Sequence, residues 1–155
     1  MQSTEGIQMA DDDRLIYLIF TAQQKLRTHL GNVMMRKNIK VTPAQAGILF
    51  LLAEKGGRTM SELSQILSID NSTITGLVDR LEKAGLVRRN ASPHDRRASH
   101  VYVSPAGIQE TEKAKRVVKK VNREIKDGFT AEELASFKKI LESFFQKFNA
   151  ASRQE

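Results

Sequence analysis

The sequence predicts a mainly α-helical fold that carries one small β-hairpin. Three observations predict it. Apolar residues recur at helical spacing over most of the chain, and serine or threonine capping signals open several of those runs. In addition, two short β-favouring runs flank a basic, turn-rich segment.

The bulk properties set limits. With 155 residues, 40% hydrophobic and 28% charged, the chain has enough apolar surface to offset the entropy of ordering. That length suits one domain over residues 11–150 between short tails at 1–10 and 151–155. The 25 Lys and Arg against 18 Asp and Glu leave a formal charge of +7, with a pI near 9.8. Such a balance favours polyanionic partners without saying which.

Cysteine is absent, so disulfides, thiolate zinc sites and thiol-based peroxide sensing are excluded. The histidines His29, His94 and His100 fall in no close metal-ligand spacing, and no phosphate-cradling glycine loop or nucleophile constellation is present. No apolar run has the length of a signal peptide core or a membrane span. The expectation is a cytoplasmic binding protein, not an enzyme, with no cofactor, metal or membrane partner.

The elements follow in order. Leu15, Ile16, Leu18, Ile19, Ala22, Leu26 and Leu30 predict a first helix after the acidic triplet Asp11 to Asp13, ending near Gly31. Thr42-Pro43-Ala44-Gln45 is a capping box with proline at the first helical position, opening a second helix that stops at Gly56-Gly57. Ser61 is expected to cap a short third helix with Leu63, Ile66 and Leu67 inward. After the tight connection Ser68 to Asp70, Ile74, Leu77, Val78 and Leu81 predict a fourth helix, closed by Gly85.

Leu86 to Arg89 and His100 to Val103 read as hairpin strands around the protruding segment Asn90 to Ser99. Ser104-Pro105 then offers a cap and first turn for a long helix carrying Ile108, Val117, Val118, Val121 and Ile125, ending at Gly128. Thr130 to Glu133 is another capping box, and it opens the last helix.

A short helix, a turn, a second helix and a hairpin, in that order, make a winged helix-turn-helix lobe over about 42–104. The second of those helices is the one that enters a DNA major groove. It presents Asn71, Ser72, Thr73, Thr75, Gly76, Asp79 and Arg80 away from its apolar stripe, and Ser61 joins them as a DNA-facing candidate. For Asp70 or Asn71 a capping role accounts for the residue as well as a DNA contact does. Gly76 costs about 1 kcal/mol against alanine in mid-helix, which close approach either to DNA or to the third helix explains.

Of Arg88 and Arg89 on the first strand, at most one points toward a duplex, because neighbouring strand residues face opposite ways. The basic run from Lys113 to Lys126 on the long helix reads as a solvated face. Leu134, Phe137, Leu141, Phe144, Phe145 and Phe148 form a stripe too wide for one small lobe to cover. With Leu15 and Ile19 of the first helix they predict a homodimer through a helical lobe at about 11–31 and 105–150.

The run from Ser72 to Val87, STITGLVDRLEKAGLV, resembles the recognition helix and first wing strand of the multiple-antibiotic-resistance regulator (MarR) family. Ser92-Pro93-His94-Asp95-Arg96-Arg97, followed by Val101 to Gly107, is similar to that family's wing signature. The resemblance implies a homodimeric DNA-binding transcription regulator, more often a repressor, whose first and last helices interleave between subunits. It places Arg97 in a minor groove, where a narrow channel concentrates negative potential. Arg96 is then expected on phosphate, and Asp95 as the residue that positions an arginine.

The resemblance also implies a small aromatic or phenolic effector in a cleft lined by Tyr17, Phe20, Arg27, His29, Met34 and Phe50. Two alternatives stay open: a winged-helix protein-interaction module and a nonspecific nucleic-acid-binding protein.

Overall fold

A computed structural model of the chain describes residues 14–91 and 99–149. The two tails, the triplet Asp11 to Asp13 and the hairpin tip with His94, Asp95, Arg96 and Arg97 lie outside the described residues. Among the described residues six helices and two strands follow one another: α1 (Arg14–Arg36), α2 (Pro43–Glu54), α3 (Met60–Leu67), α4 (Asn71–Lys83), β1 (Val87–Ala91), β2 (Ser99–Val103), α5 (Pro105–Lys126) and α6 (Ala131–Asn149).

The first helix runs past its expected end at Gly31 and stops at Arg36. The stop signal is Asn38, whose φ of 54° turns the chain into the left-handed region that asparagine tolerates. The backbone N–H groups of Lys37 and Ile39 both return to the Met34 carbonyl, at 3.2 and 3.0 Å, and close the helix there. The capping box of α2 forms as expected, with the Gln45 N–H donating to the Thr42 hydroxyl and the Thr42 N–H donating to the Gln45 side chain.

For α3 the cap is Thr59, not Ser61. The Glu62 N–H donates to Thr59 Oγ1 at 3.2 Å, and the Thr59 N–H donates to Glu62 Oε2 at 3.0 Å. A reciprocal pair satisfies two orphan donors where Ser61 would satisfy one, and Ser61 falls in the first turn instead. Ile66, expected inward, is 50% exposed. An eight-residue helix turns a single row inward, and here that row is the buried Leu63 and the half-buried Leu67, with Leu67 lying against Gly47 of α2.

Ser68 takes the left-handed conformation at the end of α3, φ 53°, and the Ser64 hydroxyl donates to the Ile69 carbonyl at 2.5 Å. These contacts fix the turn into α4. Ile74, Leu77, Val78 and Leu81 of α4 are all buried, each stabilising the fold by about 1.5–3 kcal/mol. They pack in a core with Ile48, Leu49 and Leu52 of α2, Leu63 of α3 and Val101 of β2.

The strands pair antiparallel, with Val87 opposite Val103 and Arg89 opposite Val101. Arg58, just before α3, makes a single antiparallel bridge to Val101, so the hairpin is tied back to the helices at its base. Gly107 in the first turn of α5 is buried against the α4–β1 turn and the end of β2: a Cβ there would run into the Leu86 carbonyl and lie 2.7 Å from Val103 Cγ2. From this anchor α5 buries Thr111, Ala114 and Val117. Ile108, expected on the apolar face, sits about 100° round the helix from Gly107 and is exposed.

The chain divides into two units, Met1–Val118 and Lys119–Glu155, with the boundary inside α5. Within the second unit α6 opens on the expected capping box, with Thr130 and Glu133 bonded reciprocally at 2.8 and 3.2 Å. Phe144 and Phe148 meet edge to face at 5.4 Å. No residue of α6 is buried.

Candidate nucleic-acid interface

Asp70 organises the start of α4. It is the N-cap, and its carboxylate accepts three hydrogen bonds: from the Ser72 hydroxyl at 2.6 Å, the Thr73 hydroxyl at 2.7 Å and the Thr73 backbone N–H at 2.9 Å. These donors, the Ser72 hydroxyl first, hold its pKa down from 3.8 to about 2, because each favours the charged form. Asp70 therefore takes the capping role, and Asn71 is released as an exposed residue in the first helical position.

The arrangement gives the helix end a definite polarity. Ser72 and Thr73 are exposed but direct their protons to Asp70, so lone pairs are what their hydroxyls turn outward. Thr75 donates to the Asn71 carbonyl at 2.8 Å, a bond back into its own helix. Arg80 is exposed one turn further on. A Cβ on Gly76 would meet no atom within 4 Å. Close approach to α3 is thereby removed as the reason for glycine, and approach of an outside molecule is left.

At the far end of the helix an ion cluster joins α4 to the hairpin. The Arg89 guanidinium of β1 donates to Asp79 Oδ1, and its Nε lies 3.8 Å from Glu82 Oε1. That Nε is buried and has no hydrogen-bond partner, so the Glu82 contact is an ion pair without a hydrogen bond. Arg88 points the other way and lies over the Tyr102 ring, 5.8 Å from its centroid. Arg88 is exposed, whereas the Arg89 side chain is 26% exposed and held by carboxylates. The sequence carried a signal for this pairing: Asp79 and Glu82 are like charges three residues apart on one helix face, which calls for a cation between them.

The residues expected around an effector separate into two environments. Met34 is 1% exposed and fills the core next to Ile39, so it packs instead of lining a cleft. Tyr17, Phe20, Arg27 and His29 lie on outward parts of α1, and Phe50 is half-buried on α2. The expected interface residues Leu15, Ile19, Phe137, Leu141, Phe145 and Phe148 are exposed, and Leu134 and Phe144 are half-buried.

Sequence reasoning missed Glu110, a carboxylate 3% exposed on α5 that accepts the Lys40 backbone N–H at 2.7 Å. Among the described residues there is no group of three or more His, Asp and Glu side chains able to hold a metal ion. No helix among them is long and apolar enough to cross a membrane.

A family model described as the MarR family matches residues 39–98, which take in α2 to α4 and β1 and end before β2. An HTH-type transcriptional regulator of Bacillus subtilis, YsmB, is 32% identical over 76% of this chain and 85% of its own length. The homoprotocatechuate degradative operon repressor of Escherichia coli is 27% identical over 92% of this chain and 94% of its own. Among solved structures, a mutant MarR of Escherichia coli complexed with operator DNA superposes with a TM-score of 0.80 at 26% identity. That match covers 89% of this chain and 98% of the other.

Proposed function

This chain belongs to the MarR family of transcription regulators, and from that premise we propose that it is a homodimeric repressor reading a pseudo-palindromic operator. It is a DNA-binding regulator, and α4 is its recognition helix. The observation that carries this reading is the exposed row Asn71, Ser72, Thr73 and Arg80, with the open surface over Gly76, on a helix whose opposite side is wholly buried. Short polar groups and a missing side chain suit close contact with base edges in a major groove. Ser61 in the first turn of α3 and the half-buried Thr75 are its flanking contacts.

Arg97 supplies the minor-groove contact, Arg96 a phosphate contact, and Asp95 positions an arginine; these assignments rest on the wing sequence. Pairing of subunits through α1 and α6 is supported by Leu15, Phe145 and Phe148, each more than 60% exposed in the single chain. Twofold symmetry then sets two half-sites about 34 Å apart. As a regulator of this family it is read as a cytoplasmic binding protein and not as a catalyst.

Release by a small aromatic acid is supported by the relative that represses an operon for homoprotocatechuate breakdown. Tyr17, Phe20, Arg27, His29 and Phe50 are the residues assigned to it. Calorimetric titration with a panel of aromatic acids tests this, and a flat response from every member refutes the effector.

The DNA reading is tested by competition between upstream DNA and random DNA, with Arg97→Ala alongside. Specific binding resists random competitor, and Arg97→Ala weakens operator binding by about 1–3 kcal/mol while dimer mass and melting temperature hold. Affinity that follows salt but not sequence would mark a nonspecific nucleic-acid binder instead.

A further inference from the structure

The ion cluster at the end of the recognition helix lies between the two elements that reach DNA. Asp79 and Glu82 are on α4, Arg89 is on β1, and Arg89 is the residue of β1 opposite Val101, the point at which Arg58 ties the hairpin base to the helices. Its guanidinium is partly buried and engaged on both sides, with its Nε out of contact with water. A cation in that position neutralises two carboxylates that would otherwise face a phosphate backbone.

We propose that Asp79 and Arg89 are positioning residues for operator recognition: their pair fixes the angle of the β1–β2 hairpin to α4, so that what the hairpin touches stays in register with the bases α4 reads. The inference rests on the DNA-binding reading above. The chain joins the hairpin to its recognition helix through the short turn at Gly85 and Leu86, and the pair adds a directional attachment to the apolar packing beyond that turn. An arginine held by a carboxylate is directional in a way that packing of valines is not. Arg88, on the opposite face, is the β1 arginine that remains outward for phosphate.

Direct contact and positioning predict opposite signs at Asp79. If Arg89 touched phosphate, Asp79→Ala would free it, remove a repulsive charge and strengthen binding. If the pair positions the hairpin, Asp79→Ala and Arg89→Ala each weaken operator binding about tenfold, and the double variant is no weaker than either single one. The salt dependence of Arg89→Ala then matches that of the unaltered protein, since no phosphate contact is lost.

The experiment measures operator affinity against salt for the full-length protein and these three variants, with binding selection from random DNA. Asp79→Asn, which keeps an oxygen for Arg89, guards against a failure to fold and is expected to fall between the unaltered protein and Asp79→Ala. Selected sites for the positioning variants retain the bases read by α4 and lose the preference in the flanking tract. Tighter binding by Asp79→Ala, additive losses, or a salt slope reduced by about one contact in Arg89→Ala would overturn the coupling alone. An unaltered protein that selects no sequence at all would overturn the DNA-binding reading with it.

Discussion

The carboxylate of Glu110 on α5 accepts the backbone N–H of Lys40, seventy positions earlier in the chain, at 2.7 Å. Glu110 is 3% exposed, and its second oxygen lies 3.5 Å from Lys113 Nζ, so one buried side chain ties the α1–α2 connection to α5. A hydrogen bond to a charged group is worth about 1.5–3 kcal/mol. Glu110→Ala should lower stability by about that amount in urea unfolding at fixed protomer concentration, and Glu110→Gln, which keeps an acceptor, by less. Unchanged stability in Glu110→Ala would show that the contact carries none.

Gly107 and Gly76 are both helical glycines, and alanine should act on them in opposite directions. At Gly107 the added methyl meets the Leu86 carbonyl, a backbone atom that cannot swing aside, and a loss of about 1–3 kcal/mol is expected. At Gly76 nothing lies within 4 Å, so alanine should raise stability by up to about 1 kcal/mol. Its operator affinity should fall, because the methyl projects into the face assigned to DNA. Thermal melts paired with binding titrations separate the two effects, and undiminished affinity in Gly76→Ala would place DNA elsewhere.

Asp70 gives a pH signature. Its folded pKa, about 2, lies below the ordinary value of 3.8, so the folded protein favours the carboxylate. The contribution is fully present above pH 3.8 and is lost as pH falls toward about 2, where the folded state also takes up the proton. The stability difference between the unaltered protein and Asp70→Asn should therefore be constant near neutrality and shrink across that acid window. A difference that persists at pH 2 would assign the effect to cap geometry and not to charge.

Ser72 and Thr73 should read bases as acceptors. Both hydroxyl protons are directed to Asp70, and outward lone pairs match the exocyclic amino groups of adenine and cytosine in the major groove. Binding selection should show adenine or cytosine at the bases facing them. Thr73→Val keeps the shape and removes the acceptor, so it should shift that position toward thymine, whose methyl accepts apolar contact. Guanine at that position in both proteins would contradict the polarity.

Much of the fold was legible because its signals are local. The reciprocal caps Thr42 with Gln45 and Thr130 with Glu133, the apolar repeat of α4, and the order helix, turn, helix, hairpin are all set within a few residues. Where local signals competed, the structure shows which prevailed. Thr59 with Glu62 displaced Ser61 as a cap, and Asn38 displaced Gly31 as a stop. Only one of two apolar rows on α3 found a partner in α2, which left Ile66 outside.

Helix α4 was thus legible in the sequence by itself, since periodicity and capping act over one or two turns and need no distant partner. Only the folded chain decided how its polar face is wired. Arg89 turns from solvent to Asp79, and Glu110 reaches Lys40. Directions of hydrogen bonds and ion pairs depend on distances between segments remote in sequence, and those distances exist only once the core has packed.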